Sequence, residues 1–316
     1  MCREKAGGQD EMRMLRAMYA EGEERLRQAG IEEAGLDAWY LLEFVTGVDK
    51  AHYYMEPDRR MEQSVAQEYE KVVNLRAEHI PLQHITGVQE FMGLGFRVSG
   101  FMGLKFKVNS NVLIPRQDTE VLVEEALKRL EQGKVPKEKE TVRMLDLCTG
   151  SGCILISILY YAAKEKIQIQ GTGADISEAA LRIAEENLDL LEETGNKSMA
   201  ELLESDLFEQ VDGTFGMIVS NPPYIKTSVI SGLQEEVRLH DPFLALDGKE
   251  DGLFFYRKII EESRAYLQKN GVLLFEIGYD QGEAVSELMT KAGYSQVVVK
   301  KDLAGLDRIV CGVYTE

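Results

Sequence analysis

"SNPPYI", residues 220–225 with Asn221-Pro222-Pro223-Tyr224 at its centre, stands directly after the apolar run Met217 to Val219. It is an abrupt strand ending, because neither proline donates a backbone hydrogen bond and both hold φ near −65°. The stiff turn offers two acceptors, the Asn221 carboxamide oxygen and the Pro222 carbonyl. Such a pair suits a planar –NH2 group: each oxygen takes one N–H, and the nitrogen lone-pair density is aimed in one direction. An amide nitrogen is a feeble nucleophile because its lone pair is delocalised into the carbonyl. A site acting on it must orient rather than ionise. Tyr224 adds a flat face to lie on the amide plane and exclude water. Two acceptors also reject a carboxylate, which brings no donor; sites built on buried hydrogen bonds discriminate by roughly 10⁴-fold. The bland alternative is a proline-rich turn that only caps a strand.

A second set of candidates lies earlier. In "DLCTGSGC" (146–153) the turn Cys148-Thr149-Gly150-Ser151-Gly152 follows an apolar strand pattern. Its glycines let the backbone approach a ligand, and the helix start beyond it offers unpaired N–H groups and a positive dipole end. Asp175, in "GADIS" one strand further on, is placed to accept both hydroxyls of a ribose. Asp206 and Leu207, in "SDLF", can hold the edge and the face of a base. The third glycine of a dinucleotide fingerprint is missing, and so is the P-loop lysine. A turn without pyrophosphate apparatus suits a ligand with adenosine and an amino-acid tail: S-adenosylmethionine, leaving as S-adenosylhomocysteine.

The elements that must position these residues alternate. From Thr119 onward the pattern predicts helix 119–133, strand 142–147, helix 153–164, strand 168–174, helix 177–191, and strands near 199–203 and 217–220. Helix 251–268, strand 271–277, helix 279–292 and strands near 296–300 and 308–314 follow. Alternation of this kind means an α/β fold, a doubly wound Rossmann-like sheet whose ligand site lies beyond the carboxyl ends of its strands. The last two strands, joined only by "KKDLAGLD", are expected to pair antiparallel. The first eighty or so residues read as a small helical bundle: Met14, Leu15, Met18, Tyr19 and Leu26 recur near a 3.6 period. The expected domains are 1–86, helical; 87–114, a β-hairpin linker; and 115–316, the nucleotide-type domain. Within the linker "FMGLGFRVSG" (91–100) echoes "FMGLKFKVNS" (101–110), either a local duplication or a strand pair reusing one pattern.

Composition bounds the partners. The 316 residues include 54 acidic and 36 basic ones, a net charge of −18, which is poor equipment for binding duplex nucleic acid. A small molecule, or a protein surface that is neutral or basic, is the better electrostatic match. No apolar run approaches a bilayer span, and the N-terminal stretch lacks a signal peptide's apolar segment, so a cytoplasmic protein with no membrane partner is expected. The four cysteines form no C-x-x-C pair, and His52, His79, His84 and His240 have no metal spacing, so no metal is expected.

"NPPY", "DLCTGSGCI", "LIPRQDTE" (113–120), "ADIS" and "FEIG" together resemble the HemK/PrmC family of protein glutamine N5-methyltransferases, over nearly the whole chain. The resemblance implies a peptide chain release factor as partner, methylated at the glutamine of its Gly-Gly-Gln loop. It implies an N-terminal domain that docks this substrate, and Arg116 and Thr119 enclosing the methionine end of the cofactor. Asp118 or Thr119 also suits a helix cap. Asp241 and Pro242, in a loop that resembles the family's, are expected to shape the substrate opening. Glu276 reads as a structural hydrogen-bond acceptor in preference to a cavity-lining carboxylate. Where members commonly carry glycine this chain has Cys148, which demands a φ that a side chain accepts. Gly7-Gly8-Gln9 reads as coincidence, and a monomer is the default. The competing readings are an adenine N6 amino methyltransferase of nucleic acid, which needs a basic recognition region not visible here, and a cofactor-binding module without catalysis, against which the intact "NPPY" speaks.

Overall fold

The strands after residue 140 are Val142–Leu147 (β1), Ile169–Asp175 (β2), Ala200–Glu204 (β3), Phe215–Ser220 (β4), Leu267–Glu276 (β5), Tyr294–Lys301 (β6) and Asp307–Tyr314 (β7). They form one seven-stranded sheet in the order β6-β7-β5-β4-β1-β2-β3. Neighbours from β3 to β5 are parallel, whereas β7 is antiparallel to both β5 and β6. The sheet is therefore the doubly wound one read from the sequence, with the expected antiparallel pair at its end. The turn joining that pair, tied by Asp302 N–H to the Leu306 carbonyl, is too short for the crossover that parallel pairing needs. β1 to β3 are laid down in one direction and β4 and β5 in the other. The reversal between β1 and β4 is the switch point at which such sheets bind ligands.

Period two decides which side chain goes to which face. Met144, Met217, Val219, Val272 and Leu274 pack with Leu122 of helix Gln117–Glu131 (α1) and Leu155 of helix Cys153–Lys164 (α2). Leu145, Leu147, Ile218, Leu273 and Phe275 pack on the other face, against Tyr256 and Ile259 of helix Phe254–Glu262 (α4) and Val285 and Met289 of helix Gly282–Lys291 (α5). Helix Glu178–Asn187 (α3) follows β2, capped by Ser177 Oγ, which accepts from Ala180 N–H. Each fully buried aliphatic side chain here contributes about 1.5–3 kcal/mol, so the sheet ends are held by core packing on both sides.

This chain is described by a computed structural model covering residues 12–93 and 103–315. Two compact units divide it, Met1–Gly87 and Val88–Glu316. In the first, helices Leu15–Gln28, Ala34–Thr46, Lys50–Met55, Gln63–Ala77 and Leu82–Thr86 enclose Leu15, Met18, Leu26, Leu41, Leu42, Val72 and Val73. Arg76 Nε donates to Asp37 Oδ2 at 2.6 Å, a buried ion pair within that core. The second unit opens with Val88–Phe91 paired antiparallel with Leu104–Lys107. Within the ten-residue echo at 91–110, residues 94–102 lie outside the described residues, as do Cys2 and Gly7-Gly8-Gln9.

One boundary differs in kind. The helix expected over 251–268 stops at Glu262, and β5 begins at Leu267 rather than at 271. Leu267 satisfies a helical apolar period, but it pairs with Phe215, and Asn270 at φ 63° absorbs the register shift before Met217 meets Val272. Tertiary pairing overrides the local pattern there.

Candidate active site

Asp146, fully buried near the end of β1, falls on the face covered by α2. Its Oδ2 accepts from the Thr149 hydroxyl at 2.6 Å and from Leu155 N–H at 3.2 Å. Burial pushes its carboxyl up to about 7 against those two hydrogen bonds. The carboxylate thus braces the glycine turn from beneath. From β2, Asp175 Oδ2 accepts Gly150 N–H at 2.9 Å, and its Oδ1 accepts Ser177 N–H at 2.9 Å. One further lone pair remains on each oxygen. Gly150 has φ 56° with open space where a Cβ would project, so the turn needs glycine for its conformation.

Cys148 corrects an expectation. Its φ is 59°, inside the left-handed region, although it carries a side chain. Its neighbours dictate this: the Leu147 carbonyl accepts the Ser220 hydroxyl at 2.8 Å, and Thr149 N–H donates to the Ala174 carbonyl at 3.1 Å. A side chain there costs roughly 1–2 kcal/mol. Cys148→Gly is expected to melt no earlier than the wild type, and Cys148→Val, β-branched, about 2 kcal/mol less stable in urea unfolding.

A cavity of about 360 Å³ lies beyond the strand ends. Its wall includes Cys148, Thr149, Gly150, Ser151, Asp175, Asp206, Leu207, Arg116, Thr119, Asn221 and Pro223. The structure thus brings "IPRQDTE", the glycine turn, the ends of β2 and β3 and the start of "NPPY" to one hollow. Gly152, Pro222 and Tyr224 are not on that wall. Gly152 packs against Ile156 and Ala184, while Tyr224 packs against the core on the α4 side of the sheet.

Residues not singled out from the sequence hold the motif. Gln281 Nε2 donates to the Tyr224 carbonyl at 3.1 Å and to the Gly252 carbonyl at 3.2 Å. Ile225 N–H donates to the Leu246 carbonyl and Gly248 N–H to the Ile225 carbonyl, so the loop after Tyr224 is laced to 246–248. A Cβ on Gly248 would meet the Tyr224 backbone at 2.7 Å; only glycine permits that approach. Ile176, Lys249, Phe254 and Lys258 also reach the wall. No local sequence signal marks Gln281, which reaches the motif only through the tertiary fold.

Arg116 Nη2 lies 2.7 Å from Asp241 Oδ2, the Asp241 side chain being 1% exposed and that of Arg116 44%. Burial raises the Asp241 carboxyl, and the guanidinium beside it pulls it back down. Pro242 lines the cavity next to this pair. The two partners are not equivalent. Arg116→Ala strands a buried carboxylate and is expected to cost about 3 kcal/mol in urea unfolding at pH 8. Asp241→Asn leaves a cation that water reaches, and should cost about 1 kcal/mol or less.

Asn221 Nδ2 points to Thr119 Oγ1 at 3.5 Å. Glu276, at the end of β5 and 2% exposed, lies outside the cavity wall. Burial pushes its carboxyl up to about 7, while Thr119, Arg308 and Asn221 hold it down.

Residues 17–87 match the PrmC N-terminal domain family, and residues 119–237 match the methyltransferase small domain family. A release factor glutamine methyltransferase of Caulobacter vibrioides is 38% identical over 299 residues, covering 93% of this chain and 94% of that one. Another, of Clostridium botulinum, is 36% identical over 300 residues, covering 94% and 98%. Among solved structures, the hMettl16 catalytic domain in complex with MAT2A 3'UTR hairpin 6 gives a TM-score of 0.51 at 13% identity, over 67% of this chain and 76% of that chain. At that identity the likeness is one of fold alone.

Proposed function

This chain belongs to the family of release factor glutamine methyltransferases, and we propose from that premise that it methylates the side-chain amide nitrogen (N5) of the glutamine in the Gly-Gly-Gln loop of peptide chain release factors. The observation that carries the reading is that Asn221 shares one cavity with Gly150, Asp175 and Asp206.

The residues suit S-adenosylmethionine. Each Asp175 oxygen accepts one backbone N–H and keeps room for a ribose hydroxyl. Asp206 and Leu207, which line the same cavity, would hold the base by its edge and face, and Cys148 to Ser151, Arg116 and Thr119, also on its wall, would enclose the amino-acid tail. The bound cofactor supplies an electrophilic methyl group on a sulfonium. Everything else falls to the protein. Asn221 Oδ1 and the Pro222 carbonyl each take one N–H of the substrate carboxamide, so its nitrogen lone-pair density faces the methyl carbon. Pro222 and Pro223 hold that turn stiff without offering donors of their own. Tyr224, whose carbonyl accepts from Gln281 Nε2, anchors the end of the motif in the core. Substrate docking falls to the first unit, whose residues match the PrmC N-terminal domain.

A monomer in the cytoplasm is the form we propose. No helix among the described residues is long and apolar enough to cross a membrane. The test is methyl transfer from labelled S-adenosylmethionine to a release factor, to its Gly-Gly-Gln Gln→Ala variant and to duplex DNA. Label in the first alone is the expected result. Label in the DNA would replace this reading with that of an adenine N6 methyltransferase, and label in the Gln→Ala variant would move the target.

A further inference from the structure

A carboxamide has two ends of nearly equal shape and opposite chemistry: the oxygen accepts and the nitrogen donates. Asn221 serves the proposed reaction only with its oxygen toward the substrate. Nothing in the four residues of "NPPY" decides this. The geometry behind them does, and we infer that Glu276 is the positioning residue that sets which end of Asn221 faces the cavity.

Glu276 shares a sheet face with Val272 and Leu274, which brings its carboxyl under the start of α1, where Thr119 sits. Its Oε2 is a buried acceptor with no hydrogen-bond partner among the described residues. Thr119 and Asn221 are both near enough to hold the charged form of Glu276. An ionised carboxylate accepts only, so the Thr119 hydroxyl spends its single proton toward Glu276. Its oxygen is then left to accept, and it faces Asn221 Nδ2 at 3.5 Å. Every partner behind Asn221 thus wants a donor. The nitrogen is drawn inward and Oδ1 is turned out. With the opposite end outward, two N–H groups would meet the two N–H groups of the substrate, and neither would be paired.

A protonated Glu276 breaks the order, because it becomes a donor and can hold the Asn221 oxygen inward. Burial lifts this carboxyl to about 7, so the ordering holds above that pH and fails below it. The other charged or titratable groups that face it are Arg308 on β7, Asp118 at the start of α1, Tyr224, Tyr256 on α4, and Cys153 at the start of α2. Burial raises both tyrosines, and lifts Cys153 to about 12, so these three stay neutral through the relevant range. Arg308 remains paired with Asp118 and Asp302, at 3.1 and 3.0 Å, whatever stands at 276.

The inference rests on the proposed function, and the experiment separates the two. Glu276→Gln keeps the shape but presents an amide that can donate as well as accept. Its kcat on a release factor is expected to fall at least tenfold at pH 8, with the Kd for S-adenosylmethionine unchanged within twofold. In the wild type, kcat should rise with pH about a midpoint near 7, and Glu276→Gln should lose that limb. Folding is checked by melting. A carboxyl whose folded value is raised contributes stability below its ordinary value and loses it as pH climbs through about 7. Glu276→Gln should therefore melt no earlier than the wild type at pH 8. An arm that needs no protein substrate is the Asn221 side-chain NH2 resonance, assigned through Asn221→Ala. It should be protected from exchange in the wild type, change about pH 7, and lose its protection in Glu276→Gln. Wild-type kcat and an unchanged Asn221 resonance in a folded Glu276→Gln would overturn the inference. A wild type that fails to label the release factor would overturn the functional reading, while the resonance arm would still decide the role of Glu276.

Discussion

Asn221→Ala is expected to lower turnover on a release factor by about 10²-fold or more, in line with losing one positioned polar group at a reacting centre. The Kd for S-adenosylmethionine should change little, because the contacts expected to carry cofactor affinity come from Asp175, Asp206 and the glycine turn. Truncation leaves the Pro222 carbonyl as the only acceptor on the turn, so the substrate amide can swing about one hydrogen bond and its nitrogen loses direction. The loss should appear in kcat more than in KM, the signature of an interaction that matters most in the transition state. The variant removes one side chain at a strand end and leaves the core packing on both sheet faces intact, so the fold should survive, and a melting curve checks this. Near wild-type methylation of a Gly-Gly-Gln substrate by folded Asn221→Ala would remove the proposed mechanism.

The second large effect is on cofactor affinity. Asp175→Ala is expected to weaken S-adenosylmethionine binding about 10²-fold, measured by calorimetry. Two charge-assisted hydrogen bonds at about 1.5 kcal/mol each amount to roughly 3 kcal/mol, or two orders of magnitude in Kd. The same carboxylate accepts Gly150 N–H and Ser177 N–H, so its removal also loosens the glycine turn and the start of α3. Asp175→Asn keeps one acceptor and should fall between the two. A Kd within threefold of wild type for Asp175→Ala would place the ribose elsewhere.

Much of the site was legible because its chemistry is local. A glycine-rich turn, an aspartate at the next strand end and an Asn-Pro-Pro-Tyr stop can each be read within a window of ten residues. Alternating strand and helix then require those windows to converge at the switch point. The pairing of the last two strands was legible for the same reason, since a turn of a few residues admits no crossover. Residue type misleads at Cys148, where a side chain sits at a φ of 59°. The backbone there is held by β2 and β4 on either side, and the side chain is tolerated at a cost. Periodicity alone extends helix α4 too far, because Leu267 fits two periods and only its pairing with Phe215 chooses between them.

Residue order alone thus determined the fold class and singled out the candidate acceptor motif and the candidate ribose carboxylate, since each depends on groups close in the chain and on rules of connection that hold for any sheet. Tertiary structure decided the rest. Arg116 meets Asp241 across 125 positions, and Asn221 meets Thr119 across 102. Glu276 comes beneath Thr119 because strand pairing and period two bring that face of β5 under α1. Whether Asn221 offers its oxygen or its nitrogen to the cavity depends on the donors and acceptors packed behind it, and those are assembled only when distant strands pair.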